Sequence, residues 1–194
     1  MTPAFYASLA ARAYATAPTV GREDSAARAV FFDPATVGFP GTNNLACWLA
    51  DLDAGTTYVP GLGMLHSGFW HAYDALLSQQ LMACTGVEVT LGHSEGAALA
   101  ILYAADLCRA GKPPKAVYAF EPPRVSRDGT LAALFAAHGV ELHLYQNGED
   151  VVPMVPRIPG DWQHPAPLQR IGRARFPFPN VDDHLIDHVV AALQ

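Results

Sequence analysis

The chain has 194 residues, 51% of them hydrophobic and 15% charged, which suits one globular domain spanning 1–194 with a sizeable core. Twelve Lys and Arg against 18 Asp and Glu leave a net charge of −6, the wrong sign for a phosphate-binding surface, so nucleic acid is not an expected partner. No stretch reaches the roughly 18 uncharged apolar residues of a membrane span. In the first twenty residues Arg12 interrupts a run of small side chains, and no signal peptide is evident. The expected location is the cytoplasm, with secretion lacking a recognisable leader as the second reading. Cys47, Cys84 and Cys108 are an odd set without metal-type spacing; they read as buried thiols, with a Cys84–Cys108 pairing left open. The sequence does not set the oligomeric state.

In chain order, RAVFF (28–32) and ATVGF (35–39) are extended runs that precede the loop PGTNN. VEVTL (87–91) is a β-branched strand pattern, followed by GHSEG and then by AALAILYAADLCRAG, a helix-rich composition closed by Gly111 and Pro113. AVYAF (116–120) supplies the next strand, so the unit is a β-α-β crossover with parallel strands. A short helix over Thr130–Ala137, ended by Gly139, leads into the strand VELHLY (140–145) and the loop QNGED. DHLIDHVVAALQ reads as a final helix with Leu185, Val189 and Leu193 on one stripe. Strands alternating with helices indicate an α/β fold with a mostly parallel sheet, whose ligands sit beyond the carboxyl ends of the strands.

Gly92-His93-Ser94-Glu95-Gly96 has the G-x-S-x-G form, in which a nucleophile occupies a strained strand-to-helix turn and the glycines provide clearance. A serine hydroxyl needs a histidine to take its proton and a carboxylate to orient that histidine. In the order Ser, acid, His, the acid best placed is Asp150, directly after a strand, with Glu149, Asp161 and Glu121 as competitors that otherwise read as solvated loop charges. The base is His184, His188 or His164. His184 opens the last helix, where the positive dipole end opposes protonation, whereas His164 reads as a surface residue. His66, His71, His93, His138 and His143 read as packing or solvent-facing.

Four ordered blocks carry a resemblance to a known family: GFPGTNNLACWLADLD, MLHSGFWHAY, VTLGHSEGAALA, and YQNGEDVVPMVP with DDHLIDHVVAAL. Together they resemble the class 3 lipase family, its small bacterial and phage members included. The resemblance implies an α/β-hydrolase fold with a minimal lid and a carboxylic-ester hydrolase acting on small-molecule or lipid esters without metal or cofactor. It also implies Ser94 as nucleophile, Asp150 as acid, His184 as base, and Thr42 and the backbone amide of Glu95 as the oxyanion hole.

Three positions depart from the family's usual pattern: Pro40 stands for Arg, Glu95 for Leu, and FEPPRVS for a segment with Gly before Pro-Arg. The first and third are expected to be structural. The Glu95 side chain is expected to turn outward on the first helical turn, because a carboxylate aimed at the oxyanion would oppose catalysis. The interval from Ala54 to Leu65 is short and Gly-rich with little apolar face, so no full lid is expected there and short to medium acyl esters are favoured. Two other classes remain as alternatives: a metal-dependent hydrolase using the H-x-x-x-H pair His184 and His188, for which no third ligand is identifiable, and a catalytically silent binding protein that keeps the fold.

Overall fold

β-branched and aromatic runs form the strands, and they assemble in an order set by the crossovers between them. A computed structural model describes residues 1–23, 25, 27–42, 55–157, 161–176 and 178–194, with backbone alone at 75, 76 and 79. A seven-stranded sheet runs β1 (Val20–Gly21), β2 (Arg28–Asp33), β3 (Thr36–Phe39), β6 (Val89–His93), β7 (Ala116–Phe120), β8 (Glu141–Asn147) and β9 (Gln169–Ile171). From β3 to β9 all neighbours are parallel, while β1, β2 and β3 pair antiparallel at one edge. A separate hairpin joins β4 (Thr56–Val59) to β5 (Gly63–His66). It fills the described part of the 54–65 interval, where no full lid was expected; the segment 43–54, which includes Cys47, lies outside the described residues.

Strand β7 illustrates why the sheet is covered on both faces. All five of its residues are buried, and they alternate sides: Val117 and Ala119 join one apolar cluster, Ala116, Tyr118 and Phe120 the other. This continuous apolar strand is the pattern of a parallel sheet sandwiched between helices. On the first face lies the helix Glu95–Arg109 (α4), which is alanine-rich and buried on all sides from Glu95 to Cys108. A helix apolar all round belongs in a core.

On the second face lies an N-terminal helix, Pro3–Ala15 (α1), that the sequence reading did not assign. Its signals are local: Thr2 caps it, the Oγ1 accepting from the Phe5 amide at 3.3 Å, and Pro3 occupies the first turn. Tyr6, Leu9, Ala10 and Ala13 repeat at helical spacing and are buried. The helices Ser67–Tyr73 (α2), Gln79–Met82 (α3) and Thr130–His138 (α5) complete the described set before the last helix; α5 ends on Gly139 in the left-handed region (φ 65°) as expected.

The last helix is shorter than expected, Ile186–Ala192 (α6), with Leu185 as its cap. His184 therefore precedes the helix and sits in a turn. The expected stripe holds only in part: Val189 is buried and Leu193 packs against the second cluster, but Leu185 is 52% exposed. Cys84 and Cys108 are both free thiols, so the pairing left open does not form. Burial pushes the Cys108 thiol up to about 11.

Candidate active site

The parallel register brings three chain segments to one rim. His93, Phe120 and Tyr145 pair across β6, β7 and β8, so Ser94 and Glu121 leave the sheet at the same level, beside Gln146, while β8 runs on to Asn147. The Ser94 amide donates to the Phe120 carbonyl at 2.9 Å and the Glu121 amide to the Tyr145 carbonyl at 3.0 Å.

Ser94 adopts φ 59°, ψ −131° at the amino end of α4, a backbone that L-residues rarely occupy and that marks a strained turn. The glycines act as expected. A Cβ on Gly92 would stand 2.2 Å from the Gly96 carbonyl oxygen, and one on Gly96 would stand 2.1 Å from the Phe39 carbonyl oxygen. Gly41 is equally confined, its hypothetical Cβ 2.9 Å from Ser94 Cβ, so the half-buried Thr42 that follows it enters next to the serine. Ser94 is 1% exposed, and its Oγ has no hydrogen-bond partner among the described residues.

Asp150 lies three residues past the end of β8 and is fully buried. Its Oδ1 accepts from the Val152 amide at 3.0 Å, and its Oδ2 meets His184 Nδ1 at 2.6 Å. Burial alone would raise this carboxyl; the neighbouring Glu121 side chain, His184 and the Val152 amide outweigh it and hold Asp150 below the usual carboxylate range. Of the three candidate bases, His184 alone reaches Asp150. His188 lies in the first turn of α6, its Nδ1 within 2.8 Å of the Asp182 carbonyl. His164 is not a surface residue: its Nε2 donates to the Pro153 carbonyl at 2.9 Å, and burial lowers it to about 4.

Three features escaped the sequence reading. The first is His93, whose Nε2 donates to the His184 carbonyl at 2.8 Å while its Nδ1 accepts from the Tyr14 hydroxyl at 2.7 Å. Burial and the neighbouring His184 lower His93 to about 3, so it is neutral and has that one tautomer. It ties α1, the elbow and the His184 turn together. The second is Asp183, fully buried, whose Oδ2 accepts from the Glu149 and Arg175 amides and from Asn180 Nδ2 at 2.9–3.1 Å. Nothing in the DDH string distinguishes it from a solvated charge. The third is Glu121, which is not a solvated loop charge but fully buried.

Glu95 is a correction. Its side chain is 8% exposed rather than turned outward, and burial pushes its carboxyl up to about 7. Ala-rich α4 is enclosed on every side, so even its first turn offers no outward direction.

Among the described residues, one group could hold a metal ion: Glu121, Asp150 and His184, with ligand atoms within 4.8 Å of one another. His188 is not part of it, so the H-x-x-x-H pair does not converge. The 2.6 Å contact between His184 and Asp150 is already a hydrogen bond, which an ion between them would have to replace.

A family model described as Lipase (class 3) matches residues 36–159. Relatives in Penicillium cyclopium and Penicillium camembertii, both described as secreted mono- and diacylglycerol lipase A, are 31% identical over 145 residues, 68% of this chain. The chain spans about half the length of these relatives, 46%. The solved mono- and diacylglycerol lipase of Aspergillus oryzae is similar with a TM-score of 0.58 and 26% identity, covering 76% of this chain and 58% of that one. A Rhizomucor miehei lipase in its propeptide complex shares the fold at a TM-score of 0.70 and 20% identity, covering 87% and 67% of the two chains. By the extent of these matches and by its elbow, sheet order and α/β-hydrolase fold, the chain belongs to the class 3 lipase family.

Proposed function

We propose that this chain hydrolyses carboxylic esters, lipid esters of short to medium acyl length among them, by a two-step acyl transfer on Ser94. The observation that carries the reading is the buried 2.6 Å bond from His184 Nδ1 to Asp150 beside a serine held at φ 59° on a helix amino end. The bond presents the other ring nitrogen, Nε2, as a base. Ser94 Oγ attacks the ester carbonyl carbon and its proton passes to Nε2, which returns it to the leaving alcohol. Water, deprotonated by the same nitrogen, then releases the acid and frees the serine. The developing oxyanion lies at the amino end of α4, served by the amides of Glu95 and Thr42, where the helix dipole favours negative charge. With Ser94 Oγ unbonded among the described residues, the serine–histidine bond forms as substrate is engaged.

The substrate class draws support from the Penicillium relatives, whose description names mono- and diacylglycerols. Those relatives are described as secreted, so the cytoplasmic expectation gains no support from them. Among the described residues no helix is long and apolar enough to cross a membrane. A single domain over 1–194 is supported by the two apolar clusters packing on opposite faces of one sheet.

Treatment with a serine-directed fluorophosphonate, followed by peptide mapping, tests the reading. Label on Ser94 with parallel loss of p-nitrophenyl butyrate hydrolysis is expected. An unlabelled serine, or activity lost on EDTA and restored by zinc, overturns it in favour of a silent module or a metal hydrolase respectively.

A further inference from the structure

The buried carboxyl of Glu121 has no part in the two-step chemistry, yet it lies within 4.8 Å of Asp150 and His184. We propose that Glu121 is a positioning residue that stays protonated and donates a hydrogen bond to Asp150, holding that carboxylate in place and tempering its pull on His184. The proposal deepens the triad reading above and rests on it.

The geometry supplies the argument. Glu121 leaves β7 in the row between Ser94 and Gln146, fully buried, with φ 53°. That left-handed backbone favours glycine, so a glutamate here occupies a conformation that L side chains seldom take. Its Oε1 accepts from the Asn147 amide. Its Oε2 is buried and, counted as a carboxylate oxygen, has no donor among the described residues. The oxygens of Glu121 and Asp150 and a nitrogen of His184 lie within 4.8 Å of one another. Two ionised carboxylates this close in a buried site repel strongly, so one keeps its proton.

The donors decide which. Asp150 receives hydrogen bonds from the Val152 amide and from His184 on separate oxygens, whereas Glu121 receives one amide. Asp150 is therefore the anion, and the hydrogen on Glu121 Oε2 is what satisfies that otherwise orphaned atom. The other charged or titratable groups around the pair act in the same sense or are remote. Asp183 adds negative charge, raising Glu121 further. Arg175 reaches Asp183 Oδ1 at 3.8 Å and is engaged there. His93 is neutral, its ring centroid 4.6 Å from that of His184. Burial and the two neighbouring carboxylates raise Glu121 well above its ordinary value, in agreement with the geometry.

A donor on Asp150 lowers the basicity of the oxygen that holds the imidazolium. Removing it makes Asp150 more basic and the imidazolium more stable, so both move the acid limb of kcat/KM to higher pH. Two variants separate this from a merely structural role. Glu121→Gln keeps an N–H donor and an acceptor in the same places but cannot ionise; Glu121→Gly removes the donor at a backbone that suits glycine. We expect Glu121→Gln to leave the limb in place and kcat/KM within about threefold, and Glu121→Gly to raise the limb by about 0.5–1 pH unit with both proteins folded.

A readout independent of turnover is the infrared carbonyl band of a protonated carboxylic acid, taken as parent minus Glu121→Gln at pH 8.5, above the titration of Glu95. The band is expected in the parent and identifies the proton on Glu121. Its absence, or a Glu121→Gln limb displaced as far as that of Glu121→Gly, overturns the proposal, as does a Glu121→Gly limb that does not move. Failure of the triad reading looks different: Ser94 stays unlabelled by the fluorophosphonate in the parent while the infrared band is still present.

Discussion

The elbow around Ser94 and the turn that carries His184 sit on the same rim but are built in opposite ways. The elbow is made largely by contiguous residues, with strand β6, Gly92 packed on the backbone of Gly96, and α4 leaving at once, Gly96 in turn packing on the backbone of β3. The His184 turn is only two residues from its helix, yet its position depends on partners far away in sequence: Asp150, His93 through the His184 carbonyl, and Asn147 through the Asp183 carbonyl at 2.8 Å. The proposed nucleophile is therefore set mainly by steric fit, within the elbow at Gly92 and against β3 at Gly96, while the proposed base is placed by a web of long-range hydrogen bonds. Damage to the first is expected to appear as misfolding, and damage to the second as lost turnover or local loosening.

The largest effect expected on the His184 side is His184→Ala, which should lower kcat/KM for a short p-nitrophenyl ester by several orders of magnitude, as much as Ser94→Ala, since triad members act as a unit. His188→Ala, whose ring faces the Asp182 carbonyl and does not reach Asp150, should keep most turnover. Steady-state kinetics of the pair decides it; a dead His188→Ala with an active His184→Ala reverses the assignment of the base.

On the elbow side, Gly96→Ala places a Cβ 2.1 Å from the Phe39 carbonyl oxygen, and β3 must shift to accommodate it. A loss of about 3 kcal/mol or more is expected. Gly129→Ala, where a Cβ meets nothing within 4 Å, should stay within about 1 kcal/mol of the parent. Urea unfolding of both variants sharpens the contrast; equal stabilities would mean that the elbow yields easily.

Glu95 stands between the two regions, on the elbow helix but facing inward. Its folded value of about 7 lies above the ordinary 4.5, so the folded state holds the proton more tightly than the unfolded chain does. Below pH 4.5 the group is neutral in both states; as pH rises from 4.5 to 7 the folded protein loses stability, by up to about 3 kcal/mol. Glu95→Leu removes that loss, so its Tm advantage over the parent should widen through this window and level off above pH 7, with turnover kept within about tenfold because the amide remains. A Tm gap that does not change with pH would place the carboxyl in solvent after all.

The smallest effect expected is that of Tyr14→Phe, which leaves His93 Nδ1 buried without its 2.7 Å donor. A loss of about 1–2 kcal/mol is expected, with hydrogen exchange rising at the His184 turn more than along β6. Uniform loosening across both would show that His93 does not link them.

Local sequence determined a good deal of this protein. The strands AVYAF and RAVFF, the helix closed by Gly139, the β-α-β crossover and the clearance at Gly92 are consequences of side-chain alternation, capping and steric exclusion within a few residues, and each appears at its expected place. The pairing of Asp150 with His184 was legible in part, from chain order and the ends of strands. What only the tertiary structure decided is which charges are buried. Glu121, Asp183 and Glu95 carry the same local signals as solvated carboxylates, and their burial comes from parallel register, from an N-terminal helix closing the second face, and from α4 being enclosed on all sides. Burial is a property of the packed chain and not of any segment, because the dielectric around a carboxyl, and donors such as the Asn147 amide to Glu121 and the Glu149 amide to Asp183, come from residues distant in sequence.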